Sequence, residues 1–187
     1  MMNKKISVLS CLGLVFLLSG CGTNYIPKYE VNADNIDELR KHPNIEASVG
    51  SFSSNPPELS KPLTIRAINK FASPYENSFA KYIEEALKLE LNLADKYNPE
   101  AIVKVSGVLI KQNLDSNSGT GQMEVTFNVV RKGKLVYEIT VIGTHFFETS
   151  ILGAIAIPNT AKAYPPLVSN VLNKLFKDKQ FIQSISK

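Results

Sequence analysis

Between Gln122 and Val129 the side chains alternate without a break. Gln122, Glu124, Thr126 and Asn128 are polar, and Met123, Val125, Phe127 and Val129 are apolar. A period of two belongs to a β-strand with one dry face and one wet face. The dry face must be covered, so this segment requires a second layer. Lys132-Gly133-Lys134 then turns the chain back as a hairpin into a strand predicted over 135–147. That partner is apolar on both sides for part of its length, which predicts a central place in the sheet. A third strand is predicted over 101–112, and the polar stretch 114–121 reads as the loop between them.

The cover comes from helices. After the turn at Ser73-Pro74-Tyr75, Asn77 or Ser78 is placed to cap a helix running to about Lys96. At about 100° per residue, Phe79, Tyr82, Ile83, Ala86, Leu87 and Leu91 fall on one side, and Lys81, Glu84, Glu85, Lys88 and Asn92 on the other. Glu90 is the exception, near the middle of the apolar face. A second helix is predicted from Pro158-Asn159 to about Lys177, either restarting or kinking at Pro165-Pro166. A weak strand is expected at 45–52 and a better one at 63–68, where Leu63, Ile65 and Ala67 share one face and Thr64 and Arg66 the other. The order β(β)αβββα predicts an α+β two-layer sandwich. Its antiparallel-rich or mixed sheet has four to five strands, with two helices on one face.

The N-terminus has a different grammar. Lys4-Lys5 precede a largely apolar run of thirteen residues, Ile6–Leu18, and then Ser19-Gly20-Cys21. This is a secretory leader. At about 1.5 Å per residue a helix of that length falls short of the ~30 Å hydrocarbon core. The ending Leu18-Ser19-Gly20-Cys21 resembles the bacterial lipobox, in which the cysteine thiol is acylated and becomes residue one after cleavage. The expected organisation is a signal peptide over 1–20, a lipidated N-terminus and tether over 21–44, and a single domain over 45–187. Gly22 in place of Asp favours the outer membrane, by analogy with lipoprotein sorting. Cleavage takes Lys4 and Lys5 from the 21 basic side chains and none from the 17 acidic ones, so the net charge falls from +4 to +2. That is no footprint for nucleic acid. Cys11 leaves with the leader and Cys21 takes lipid, so no disulfide is expected.

Further strings carry a likeness. Ser73-Pro74-Tyr75 with Ser78-Phe79-Ala80, and Gly153-Ala154-Ile155-Ala156-Ile157-Pro158 with Tyr164-Pro165, resemble a group of uncharacterised proteobacterial lipoproteins over about residues 62–182. The topology is also similar to that of YajG-like, lipopolysaccharide-assembly and ABC-transporter auxiliary lipoproteins. The resemblance implies a non-enzymatic envelope protein that binds a partner or a lipid, and it brings no catalytic residues.

Enzymatic signatures are absent from the residues: no nucleophile elbow, P-loop, zinc-helix motif or dinucleotide fingerprint. No catalytic residue, metal ligand or cofactor is expected. His42 and His145 are isolated, and Gly119-Thr120-Gly121 reads as a loop. Two features remain. Glu90 needs a partner if buried, and Arg66 is the expected one, as a structural ion pair. The apolar run 151–157 is a candidate membrane or partner contact through Leu152, Ile155 and Ile157, the alternative being burial in the core. The function expected is that of an outer-membrane-anchored, periplasm-facing lipoprotein. It is non-catalytic and binds a protein partner in envelope assembly or transport. The alternative is a binder of lipid or a small apolar ligand, in a cavity near Phe79, Ile83 and Val171.

Overall fold

A computed structural model describes residues 24–187. The leader and Cys21 lie outside that range. In chain order the elements are β1 (Asn24–Tyr25), α1 (Ala33–Arg40), β2 (Ser48–Ser54), a 3-10 turn (Pro57–Ser60), β3 (Leu63–Ile65), β4 (Asn69–Ala72), α2 (Phe79–Leu93), β5 (Val103–Asp115), β6 (Thr120–Arg131), β7 (Lys134–Phe146), α3 (Gly153–Lys162), α4 (Tyr164–Phe176) and α5 (Lys179–Ser184).

The main sheet has the order β2-β5-β6-β7. β2 runs parallel to β5, and the other pairs are antiparallel. A parallel neighbour needs a crossover, and α2 lies within it. α2 starts where Ser78 accepts a hydrogen bond from the Lys81 amide at 3.2 Å, the N-cap expected of a serine before an apolar-periodic run. α4 restarts after α3 with Pro165-Pro166 in its first turn, where the missing amide hydrogens cost no helical bond. The predicted α+β sandwich is the observed architecture. Val105, Leu109, Met123, Val125, Phe127 and Val129 of the sheet are fully shielded against Phe79, Ile83, Leu87, Leu91, Val171 and Leu172 of the helices. Phe52 adds an edge-on ring contact to Phe127 at 5.9 Å. The other sheet face is wetter, with Thr126 and Thr140 hydroxyls 2.8 Å apart across β6 and β7.

Three expectations change. The strand predicted over 63–68 stops at Ile65 and belongs to a separate small sheet of order β1-β4-β3. Arg66 and Ala67, at φ 48° and 62°, form the tip of the β3–β4 hairpin. β7 is an edge strand rather than a central one. Its apolar outer residues, including Val136 and Ile142, are simply exposed. The side chains of α4 cover part of that edge instead of another strand. Lys174 donates to the Ile142 carbonyl at 2.7 Å and Asn170 to the Thr144 carbonyl at 2.9 Å, so exposed acceptors of the ladder are used. Gly143 makes this approach possible, since a Cβ there would stand 2.4 Å from Val171 Cγ2.

The third change concerns the tether. From Asn24 onward the expected tether is a strap bound to the domain. Ile26, Tyr29, Ile36 and Leu39 are buried in the same core as the sheet. The Tyr82 hydroxyl donates to the Pro27 carbonyl at 2.9 Å, and Arg40 donates to the Leu93 carbonyl at 2.9 Å. Four well-spaced apolar side chains in this stretch have more to gain from burial than the chain loses in freedom by being pinned.

Candidate functional site

Glu90 sits where the strap crosses α2. It is fully buried, and its bonds converge on one oxygen. Oε1 accepts from the Tyr29 hydroxyl at 2.5 Å, from the Asn32 amide at 3.1 Å and from Asn35 Nδ2 at 3.1 Å. The node extends into α4: Asn32 Nδ2 donates to Ser169 Oγ at 3.0 Å, and Asn173 Nδ2 to Asn35 Oδ1 at 2.8 Å. Glu90 Oε2 has no hydrogen-bond partner. Burial pushes the Glu90 carboxyl above its ordinary value, although the bonds from Tyr29, Asn32 and Asn35 pull the other way. The Tyr29 hydroxyl is held well above its usual range by burial and by Glu90.

The expected Arg66–Glu90 pair is therefore not formed. All three donors to Glu90 lie on the strap, and Arg66 is engaged elsewhere. Its Nη1 donates to the Ile151 carbonyl at 2.8 Å and its Nη2 to the Ser150 carbonyl at 2.5 Å. Its Nε reaches Ser116 Oγ at 3.4 Å. The period that exposed Glu90 as an anomaly contained no information about which distant segment would satisfy it.

A raised carboxyl has a sign. When the folded-state value lies above the unfolded one, the group's contribution to stability is full below the unfolded value and is lost as pH rises through the folded one. Glu90→Gln keeps the acceptor and cannot ionise. The stability of the wild type relative to Glu90→Gln is expected to fall as pH rises from about 4.5 toward neutrality, which urea midpoints measured across that range would show. A difference that stays flat with pH would contradict it.

Arg66 instead staples the β3–β4 tip to the turn before α3. Thr149 Oγ1 also donates to the Ser116 carbonyl of the β5–β6 turn. The candidate contact run is gathered at this end of the molecule. Ile151 is 96% exposed, Leu152 63% and Ile155 48%. Ile157 is half-buried. The run is not the connector expected from its sequence: from Gly153 it is the first turn of α3. Ile68, beside the tip and missed at the sequence level, is 82% exposed. The strand expected over 63–68 included it, and only the hairpin turn places it outside.

The alternative ligand cavity was expected near Phe79, Ile83 and Val171. Those side chains are completely buried and packed into the core cluster. A groove of about 550 Å³ does run between the strap and α4, but it is open, and Lys28, Glu30, Asn32, Lys162 and Pro165 make its lining mixed. His145 is half-buried, and burial lowers its pKa. Among the described residues no cluster of three or more His, Cys, Asp or Glu side chains is placed to hold a metal. Among them, too, no helix is long and apolar enough to cross a membrane.

No family model and no curated protein matches the sequence. A solved structure does share the architecture. A Xanthomonas campestris protein of family DUF330 superposes with a TM-score of 0.62 at 13% identity, over 87% of this chain and 96% of that one. A Caulobacter crescentus protein described provisionally as a lipoprotein gives 0.43 at 11% identity, over 81% and 94%. PelC from Paraburkholderia phytofirmans, a dodecamer, gives 0.40 at 14%, over 79% and 93%. At such identities the likeness to the Xanthomonas protein is one of fold.

Proposed function

We propose that this chain is a lipoprotein held by acylated Cys21 in the outer membrane and facing the periplasm. It is non-catalytic, and it acts by binding a protein partner in envelope assembly or transport. The observation that carries the proposal is the sequence Leu18-Ser19-Gly20-Cys21, which ends three residues before β1. The leader, the box and the start of the fold follow each other without a gap.

Two structural features support the binding role. The buried carboxyl of Glu90 is sealed under the strap and engaged by Tyr29, Asn32 and Asn35, so no substrate reaches it. The edge strand β7 exposes Leu135, Val136 and Ile142 beside backbone groups that α4 covers only in part. An edge of this kind accepts an added strand, with main-chain bonds for affinity and apolar side chains for selection.

The experiment has two readouts on cells carrying the full chain. The mass of the N-terminal peptide is expected to show Cys21 as the first residue with a diacylglyceryl adduct. A photo-crosslinker at Ile142 is expected to yield a discrete adduct with another envelope protein, which a crosslinker at exposed Lys61 does not give. Recovery of the chain alone from Ile142 would overturn the partner-binding role.

A further inference from the structure

The bound strap changes where the domain stands. A flexible tether over 22–44 would let the domain work far from its anchor. With Asn24 already paired to Phe71, only three Cα–Cα steps separate Cys21 from the folded body. At about 3.8 Å each, they reach ~11 Å at most. The domain is therefore held against whatever surface the lipid enters, and one part of it must face that surface.

The pairing of β1 says which part. β1 runs parallel to β4, with Asn24 opposite Phe71 and Tyr25 opposite Ala72. Moving from Tyr25 to Asn24 is thus moving from Ala72 toward Asn69, where β4 begins at the hairpin tip. The N-terminal end of the strap points at Ile68. Arg66 binds the Ser150 and Ile151 carbonyls from the same tip, so the backbone of Ile151 lies within one arginine side chain of it. Ile68, Ile151, Leu152 and Ile155 all stand exposed at this end. Four large apolar side chains brought to one end from the β3–β4 hairpin and from the start of α3 are not scattered surface residues of the ordinary kind.

We propose that the β3–β4 tip and the turn leading into α3 form a membrane-facing lip. Ile68, Ile151, Leu152 and Ile155 enter the headgroup–acyl boundary beside the acylated cysteine and fix the domain's orientation. The proposal rests on the anchoring of Cys21 and commits to the lipid surface as the occupant. Anchor and lip act together: the short link keeps Asn24 within ~11 Å of the acylated Cys21, and the patch replaces free rotation about a single attachment with one docked pose. The β7 start, with Leu135, then points away from the membrane. At about 3.4 Å per residue, the thirteen residues of β7 place it some 40 Å from the Phe146 end.

The chain has no tryptophan, so each introduced indole is a sole reporter. The lipidated full chain is prepared as Ile68→Trp, Leu152→Trp and Leu135→Trp, and each is reconstituted into phosphatidylcholine vesicles with and without brominated acyl chains. The first two indoles are expected to emit to the blue of Leu135→Trp and to lose most of their intensity to bromine. Leu135→Trp should lose none. If the chain floats with the vesicles and all three indoles behave as in water, the lip is overturned while the anchor stands. Blue emission without bromine quenching would mean that protein, a second copy or another chain, covers the patch, and this also overturns the proposal. A Cys21 peptide without acyl mass, or a chain that does not float, would overturn the anchor and the lip with it.

Discussion

Glu90→Ala is expected to lower the stability of the domain by about 3–4 kcal/mol and to release the strap. The substitution removes the one oxygen that accepts from Tyr29, Asn32 and Asn35. All three donors then remain in a site shielded from water. An unsatisfied buried donor costs about 1–3 kcal/mol, and the three are not additive because relaxation of the strap relieves them together. For a domain of this size the loss corresponds to a fall of about 10 °C in Tm. Limited proteolysis separates the local effect from the global one. Cleavage between Lys28 and Lys41 should accelerate before the sheet is attacked, since the strap is the unit that loses its bonds. Glu90→Gln, which keeps the acceptor, should protect the strap. If Glu90→Ala and Glu90→Gln are equally resistant, the node does not hold the strap.

Cys21→Ser should abolish attachment through lipid. Each buried methylene contributes about 0.8 kcal/mol, so two acyl chains make release negligible, whereas a serine hydroxyl carries none. The acyl mass should disappear, the leader should remain attached, and the chain should leave the outer-membrane fraction. A second form removes the ambiguity of the retained leader: residues 22–187 behind a conventionally cleaved leader should appear in the aqueous periplasmic fraction. If that form still sediments with the outer membrane, the attachment does not depend on Cys21. The Glu90→Ala and Cys21→Ser effects should be independent, since acylation precedes and does not need the node. Glu90→Ala is expected to stay lipidated while its domain swings free of the bilayer on a loosened strap.

Much of this architecture was legible in local pattern. The alternation at Gln122–Val129 gave a strand with one dry face, and that face packs on helices as required. The 3.6-residue period of Phe79–Leu91 gave α2, and Ser78 its cap. Pro165-Pro166 gave the restart of α4. Each of these depends on neighbours within a few residues, and such interactions are written in spacing. The run 151–157, in which Ile151, Leu152 and Ile155 are exposed, was likewise singled out by composition, though its first helical turn was not.

What lay beyond the sequence depended on contacts between segments far apart in the chain. Residues 26, 29, 36 and 39 are too sparsely apolar to announce a buried strap. They are buried because α2 and α4 hold the strap from far along the chain: Glu90 accepts from Tyr29, Tyr82 donates to the Pro27 carbonyl and Ser169 accepts from Asn32. Glu90 announced that it needed a partner, and chain topology, not charge, chose Tyr29, Asn32 and Asn35 over Arg66. β7 looked central because apolar residues on both faces suggest burial. The sheet ends there because α4 reaches its edge with Lys174 and Asn170. By itself the sequence determined the main strands and helices and their dry faces, and it carries the proposed acyl site at Cys21, since periodicity and a cleavage box are local properties. Only the tertiary structure decided that the chain from Asn24 onward is bound rather than free, because burying a handful of apolar side chains outweighs their lost freedom only where a core already exists to receive them.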